Sequence, residues 1–288
     1  MRPAGAGKPN SHPFSKARQH PGKGLLSIFF LHPFRPPNLG GGTLNPILKM
    51  EELKSDLLSM KLSGMAASLQ TLYETRKLHE LSLNDGLQLL VQAEKDQRWS
   101  NRYARLIKNA NFRYNASIEQ LNTSQARGID ASLINTLAVG TYIRNGEAIL
   151  ATGCAGCGKS FLISAFGRQA CRQGYSVLYF NVQKLMKQLK VARLDGSSLK
   201  LLERLAKVDL LILDDFAITR FDQHQQNDFM EIIEDRHARK STIIASQLPV
   251  SAWFDVFSEA VIADAVLDRI VHTAHRFELK GDSLRKKR

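Results

Sequence analysis

The central and C-terminal parts of the chain alternate between short apolar runs and amphipathic segments. Four mainly apolar runs have the length of buried strands and lie at 147–152, 176–180, 210–213 and 242–245, and a last strand is predicted at 276–279. The segments around them have helical periodicity and predict helices at about 131–138, 182–192, 197–206, 224–238 and 260–272. Strands that alternate with helices are typical of a parallel α/β sheet, so we predict an α/β domain over residues 117–288.

The pattern upstream of this domain is helical. Apolar residues recur at helical spacing within 62–72 and predict a first helix over about 50–77. A second helix is predicted over 86–109, apolar in its first half and basic in its second half. We therefore expect residues 50–116 to form a small all-helical N-terminal domain.

Residues 1–49 differ from the rest in composition. Proline and glycine crowd this segment, and it holds seven basic residues and no acidic one. A short apolar island at 25–31 is not followed by a convincing signal-peptide cleavage site. We expect a disordered leader. A sharper hypothesis is that the leader is not native and that the protein begins at Met50.

The charge of the chain indicates a binding function only where basic residues are clustered. The net charge of +13 favours an acidic partner, but the chain after residue 49 contains 33 basic and 27 acidic residues and is therefore much less basic. A basic stripe runs along the second predicted helix and consists of Lys95, Arg98, Arg102, Arg105 and Lys108. Such a stripe beside aromatic residues is suited to a DNA backbone, although a solvated helix face gives the same pattern. No apolar run approaches the ~20 residues of a membrane span.

A glycine-rich loop follows the first strand and precedes a helical pattern that contains Phe161. The loop reads G-x-x-x-x-G-K-S and consists of Gly153, Cys154, Ala155, Gly156, Cys157, Gly158, Lys159 and Ser160. Strand, glycine loop and helix form the context of a phosphate-binding loop, in which backbone N–H groups and a helix N-terminus face the phosphates. Lys159 would contact the β- and γ-phosphates, and the Ser160 hydroxyl would bind Mg²⁺.

Two of the three cysteines lie inside this loop. Cys154 and Cys157 form a C-x-x-C, a spacing that elsewhere indicates a redox pair or half of a zinc site. No second Cys or His pair has a matching spacing, so we assign both to variable positions of the loop. Cys171 is interpreted as a small buried residue, and reduced thiols fit a cytoplasmic protein.

The third predicted strand ends in two acids, Asp214 and Asp215. Four apolar residues followed by an acid form a Walker-B pattern, which carries a carboxylate to the sheet edge beside the phosphate loop. Asp214 would hold Mg²⁺, and Asp215 would orient or activate the attacking water. The alternative is a capping or solvated acid. Many ATPases have Glu at the second position, so slower hydrolysis or a non-hydrolysing structural module stays open.

Two further polar residues follow the fourth strand. Gln247 lies just after this strand, where its amide could sense the γ-phosphate or simply cap the strand end. Arg269 lies late in the next predicted helix. It could act as an arginine finger on the ATP of a neighbouring subunit, or it could pair with Asp264 or Asp268 of its own subunit.

These residues together resemble a known family over residues 50–288. The chain is similar to the IstB-type helper ATPases of insertion sequences, which are relatives of the DnaC helicase loaders within the AAA+ superfamily. The stretches that carry the resemblance are 210–216, 241–250, 263–272, 274–276 and 278–287.

The resemblance implies a fold, a role and a set of site residues. The fold is a helical N-terminal domain followed by an AAA+ core. The role is to bind and hydrolyse ATP, to oligomerise on duplex DNA, and to deliver that target to a partner transposase and stimulate it. The implied site comprises Lys159 and Ser160 for phosphate and Mg²⁺, Asp214 and Asp215 as the Walker-B pair, Gln247 as first sensor and Arg269 as trans-acting finger.

Two features depart from the family pattern, and one absence separates the chain from many other AAA+ proteins. Pro or Thr often fills the positions of Cys154 and Cys157, and the leader matches nothing in the family. Only eight residues follow Lys280, too few for the helical C-terminal lid of many AAA+ proteins. We expect a neighbouring subunit, the N-terminal domain or DNA to close the site. Arg285 is either a substitute sensor or part of a solvated basic tail, and a helicase loader that prefers single-stranded DNA is the alternative function.

Overall fold

The computed structural model describes residues 46–124, 127–281 and 283. The predictions for residues 1–45 and for Arg285 lie outside this part of the chain. The chain divides after Lys49, and nearly all of the described residues belong to the second unit, Met50–Arg288. The division of the second unit at residue 116 stays a prediction. None of the helices within the described ranges is long and apolar enough to cross a membrane.

The described residues form a five-stranded parallel sheet. Its strands, in the spatial order β2-β3-β4-β1-β5, are β1 Ala148–Gly153, β2 Val177–Asn181, β3 Leu210–Phe216, β4 Ser241–Ser246 and β5 His275–Leu279. The predicted parallel α/β class is confirmed. β3 alone is clearly longer than predicted, because it continues through the two acids.

Ten α-helices accompany the sheet in the described ranges. Three precede the predicted boundary at residue 116: α1 Pro46–Ser59, α2 Ser63–Glu74 and α3 Leu83–Ala110. The others are α4 Ala131–Ala138, α5 Thr141–Asn145, α6 Lys159–Arg172, α7 Val182–Leu194, α8 Ser198–Lys207, α9 Gln223–Arg236 and α10 Ala260–Val271. The first four residues of α1, 46–49, belong to the predicted leader.

The single helix predicted over 50–77 is wrong. α1 stops because Lys61 has a φ of +62°. The Leu62 amide donates to the Leu57 carbonyl at 2.8 Å, and the Lys61 amide donates to the Leu58 carbonyl at 2.9 Å. These two bonds form a Schellman motif, which satisfies the last carbonyls of a helix. The apolar spacing continues across this break, so periodicity alone did not reveal it.

Helices cover both faces of the sheet and create two apolar cores. Along β3, Leu211 and Leu213 belong to the core formed with α7, α9 and α10. Leu210 and Ile212 belong to the core formed with α4, α5, α6 and the end of α3. Side chains alternate between the faces of a strand, so this buried strand is apolar throughout. The result is a three-layer arrangement. Because the strands are parallel, all their carboxyl ends lie at one edge of the sheet and all their amino ends lie at the other.

Candidate nucleotide site

The glycine-rich loop joins β1 to α6 at the carboxyl edge of the sheet. Gly153, Gly156 and Gly158 have φ angles of +142°, +83° and +107°, in a region that side-chain-bearing residues rarely adopt. A Cβ at Gly153 would also lie 2.2 Å from the Leu279 carbonyl oxygen. Backbone conformation and close packing against β5 therefore both require glycine at the start of the loop.

Lys159 is buried although it is charged, with 7 % of its surface exposed. Its Nζ donates to the carbonyls of Gly153 and Cys154 at 2.7 and 2.8 Å, and it lies 3.8 Å from the Cys157 Sγ. The ammonium group is thus held over the loop at the N-terminus of α6. Both features favour an anion at this place.

The two loop cysteines have different surroundings. Cys154 is exposed, and its Sγ donates to the Gly281 carbonyl at 3.3 Å. Cys157 is buried, and this burial raises the pKa of its thiol. Within the described ranges no group of three His, Cys, Asp or Glu side chains could hold a metal ion. Mg²⁺ in a phosphate loop needs fewer protein ligands, because phosphate and water oxygens complete its shell, so Ser160 and Asp214 suit it chemically.

A β-bulge brings the two Walker-B acids together. Leu213 pairs with Ile244 and Phe216 pairs with Ser246, so β3 contains one extra residue there. Asp215 lies in the bulge with a φ of +58°. In a regular strand two successive side chains would point to opposite faces. Here the Oδ2 atoms of Asp214 and Asp215 lie 3.6 and 3.3 Å from the same Arg113 Nη1.

Neighbouring groups from β2 fix both carboxylates. Asp214 is 1 % exposed and accepts a hydrogen bond from the Tyr179 hydroxyl. Burial, reinforced by the charge of Asp214, raises the pKa of Tyr179, so the phenol remains a donor. Asn181 Nδ2 donates to Asp215 Oδ2 at 2.8 Å.

Sequence reasoning missed Arg113, Tyr179 and Asn181. A signal exists for the two β2 residues, because strand order places β2 beside β3 and Asn181 opposite Asp214. No comparable signal exists for Arg113, which is 102 positions away from Asp215.

Gln247 lies between the phosphate loop and the two acids, because β4 separates β3 from β1 in the sheet. Its side chain is exposed and makes no hydrogen bond within the part of the chain that the structure describes. The preceding Ser246 fixes the strand end, since its Oγ donates to the Phe216 carbonyl at 2.9 Å and accepts from the Leu248 amide at 3.1 Å.

Arg269 lies near the end of α10, at the opposite edge of the sheet from the phosphate loop. α10 starts after the carboxyl end of β4 and returns to the amino end of β5, because these strands run parallel. Its guanidinium pairs with Glu234 of α9 at 2.5 Å and donates to the Ala265 carbonyl at 2.7 Å. The structure does not bring Arg269 to the loop of its own chain, and the ion pair is with Glu234 rather than with Asp264 or Asp268.

The predicted basic stripe on α3 divides into two groups, although all five side chains are exposed. Arg98 Nε donates at 2.7 Å to Glu94, whose other oxygen accepts from the Gly64 amide at 2.7 Å at the start of α2. Arg102 donates to the Gly174 carbonyl at 2.8 Å. These two residues therefore have structural partners. The other three, Lys95, Arg105 and Lys108, make no ion pair within the described ranges.

The sequence family described as IstB-like ATP binding protein matches residues 55–288. The chain belongs to this family. One IstB-like relative is the insertion sequence ATP-binding protein y4pL of Sinorhizobium fredii, 40 % identical over 230 residues that cover 80 % of this chain and 94 % of that protein. Another is the ATP-binding protein of insertion sequence IS1162 of Pseudomonas fluorescens, 42 % identical over 198 residues that cover 68 % of this chain and 86 % of that protein.

A solved structure supports the fold of this IstB-like chain. The crystal structure of the DnaC helicase loader has a TM-score of 0.50 and 21 % identity, covering 58 % of this chain and 98 % of that one. At this identity the likeness shows the fold alone. The predicted IstB-type family and ATPase activity are confirmed: the protein is an ATP-binding ATPase of the phosphate-loop type. The likeness to the DnaC structure supports the predicted fold.

Proposed function

We propose that this ATPase is a transposition helper protein that acts in the cytoplasm. In this proposal it oligomerises on duplex DNA, hydrolyses ATP there, and recruits and stimulates the transposase of the same insertion sequence. The observation that carries the proposal is the joining of Lys159, Asp214 and Asp215 at one sheet edge. The printed names of the relatives, which are insertion sequence ATP-binding proteins, direct this chemistry toward transposition.

The residues of the carboxyl edge would divide the work of hydrolysis. The loop amides and Lys159 would hold the β- and γ-phosphates. Ser160 and Asp214 would hold Mg²⁺, which supplies positive charge to the phosphate oxygens. Asp215 would orient the attacking water, and Gln247 lies between these groups, where its free amide could contact water or the γ-phosphate.

The far position of Arg269 supports action between subunits. A guanidinium at the amino edge of the sheet lies away from the nucleotide site of its own chain, and it would serve the site of a neighbour by exchanging its partner Glu234 for that nucleotide. Turnover would then require at least two subunits, which is why we propose a homo-oligomer as the active form.

The first experiment measures phosphate release per subunit at increasing protein concentration, with and without DNA. We expect the rate to rise with concentration and with duplex DNA. A rate independent of both would contradict the proposal. Stimulation by single strands in preference to duplex would favour a helicase loader, and binding of ATP without phosphate release would indicate a non-hydrolysing module.

A second experiment locates the DNA surface. The double variant Lys95→Glu/Arg105→Glu should weaken duplex binding and reduce the slope of log affinity against log salt by about two. Arg98 is unsuitable for this test, because a glutamate there would repel Glu94, which accepts a hydrogen bond from the start of α2. The control Lys187→Glu/Lys190→Glu makes the same charge change on exposed positions of α7. Equal losses in both double variants would show only a general charge effect.

A further inference from the structure

Arg113 is the cation that pairs with the Walker-B acids within the described ranges. Its Nη1 lies 3.6 Å from Asp214 Oδ2 and 3.3 Å from Asp215 Oδ2. The side chain of Asp214 is 1 % exposed, whereas that of Arg113 is 41 % exposed. A carboxylate buried to this degree needs a counter-charge, but the guanidinium that supplies it has one side open to solvent.

The segment that carries Arg113 is anchored on both sides. Phe112 packs edge-on against Tyr179 with ring centroids 6.3 Å apart. It also fills the space above Gly167, where a Cβ would lie 2.4 Å from its ring. Tyr114 lies 6.3 Å from Phe161, which follows Ser160 in α6. The backbone after α3 is therefore tied to β2 and α6, which places the guanidinium at the acids.

Magnesium and Arg113 cannot both make their best contacts with these acids. A divalent cation bound to Asp214 would lie within a few ångströms of a guanidinium that contacts the same carboxylate. At such distances the repulsion between like charges is substantial even near a protein surface. The open side of Arg113 gives its side chain a way out into solvent.

We propose that Arg113 is a positioning residue that competes with Mg²⁺ for the Asp214–Asp215 pair. Without the ion, Arg113 neutralises the two carboxylates. With Mg²⁺ held at these carboxylates, Arg113 would leave them, and the segment that follows α3 would keep only its aromatic anchors, Phe112 and Tyr114. This inference rests on the proposed magnesium site at Asp214. Because such coupling is reciprocal, a partner that displaces α3 also changes the affinity for Mg²⁺-ATP.

The test compares the affinity of a fluorescent non-hydrolysable ATP analogue in Mg²⁺ and in EDTA, using the full chain. Arg113→Ala should tighten binding about tenfold in Mg²⁺ and should not tighten it in EDTA. Arg113→Lys, which keeps the charge, should tighten binding less. Arg144→Ala removes an exposed charge on α5 and should change neither affinity. Looser or unchanged binding of Arg113→Ala in Mg²⁺ would overturn the inference, and looser binding in both conditions would identify a phosphate ligand instead.

Hydrogen exchange supplies a readout that is independent of affinity. Amides of residues 111–117 should exchange faster with the Mg²⁺-bound analogue than with the analogue in EDTA. Protection of the loop 153–160 without a change at 111–117 would overturn the role of Arg113 and leave the proposed function standing. Failure of the wild-type loop to become protected would count against the proposed function itself. Circular dichroism melting checks that each variant is folded.

Discussion

The two edges of the sheet hold their positive charges in opposite ways. At the carboxyl edge, Lys159 has three N–H donors and gives two of them to carbonyls of its own loop. At the amino edge, Arg236 is 1 % exposed and makes four hydrogen bonds, to Thr242 and to the carbonyls of Leu205, Val208 and Ser241. Burial lowers the pKa of Arg236 to about 9.

This difference separates a charge that can bind a ligand from one that stabilises the fold. The donors of Arg236 are almost fully used, and they join α9 to β4 and to the chain before β3. The remaining donor of Lys159 has only a weak contact, 3.8 Å from the Cys157 Sγ, and its two carbonyl contacts can be exchanged for phosphate oxygens. How completely a buried cation is satisfied is therefore a better guide to its role than burial alone.

Arg269 is an exception to this comparison, because it lies at the amino edge but is proposed to act on a nucleotide. Arg269→Ala should leave ATP binding intact and reduce turnover in assemblies by about a thousandfold or more. Glu234→Gln, which frees Arg269 without removing it, is the matched control and should retain turnover. Phosphate release on DNA measures both.

Mixed assemblies test directly whether Arg269 acts between subunits. Arg269→Ala subunits keep an intact loop, and Lys159→Ala subunits keep an intact Arg269. Each variant should be inactive alone, whereas a mixture should recover part of the turnover. A mixture as inactive as its components would show that Arg269 works within its own subunit or through the fold.

The structural role of Arg236 predicts the next largest effect. Arg236→Met should lower the free energy of unfolding by about 3 kcal/mol, because three buried carbonyls lose a charged donor. Urea denaturation measures this loss. Arg239→Met, an exposed change in the turn that follows α9, should cost less than about 0.5 kcal/mol. Equal stabilities of the two variants would contradict the structural role, and ATP affinity per folded molecule should stay unchanged in both.

Lys159→Ala should lower the affinity for ATP and leave the stability nearly unchanged. We expect ATP affinity to fall at least a hundredfold, or about 2.7 kcal/mol, because a charge-assisted contact to phosphate is lost. The unfolding free energy should change by less than about 1 kcal/mol, since the loop carbonyls can turn to water. Calorimetric titration with the ATP analogue measures the affinity, and Lys184→Ala on α7 is the control. If the free energy of unfolding fell by as much as the free energy of ATP binding, Lys159 would have a structural role like that of Arg236.

The smallest effect concerns a half-exposed pair at the amino edge. A hydrogen bond from His275, at 2.8 Å, and another from Asn145 hold the pKa of Glu147 below its usual value. The resulting stabilisation is complete above the unfolded pKa of about 4.3 and is lost as pH falls through the lower folded pKa. Wild type should therefore lose about 0.5 kcal/mol more than Glu147→Gln between pH 5 and pH 3 in urea denaturation. A pH-independent difference would contradict this.

Local pattern was sufficient to predict the sheet class, four of the five strands to within one or two residues, and the phosphate loop. These features depend on near neighbours in sequence, such as the glycines and the apolar run before them. The bulge at Asp215 was not predictable, because it depends on the register between β3 and β4. The partners of Arg113 and Arg102 were hidden for a similar reason, since they lie 102 and 72 positions away along the chain.

The continuity of α3 has a geometric consequence. Its 28 residues extend about 42 Å without interruption. The part between Glu94, which contacts the start of α2, and the buried Ala110 against the sheet extends about 24 Å. The hairpin of α2 and the first half of α3 therefore has a fixed orientation relative to the sheet, which the helical pitch of α3 sets. One residue inserted between these contacts would turn the hairpin by about 100°, whereas seven would restore its facing to within about 20° and carry it about 10 Å outward. Insertions of one and of seven residues therefore distinguish the effect of the hairpin's orientation from the effect of its distance from the sheet.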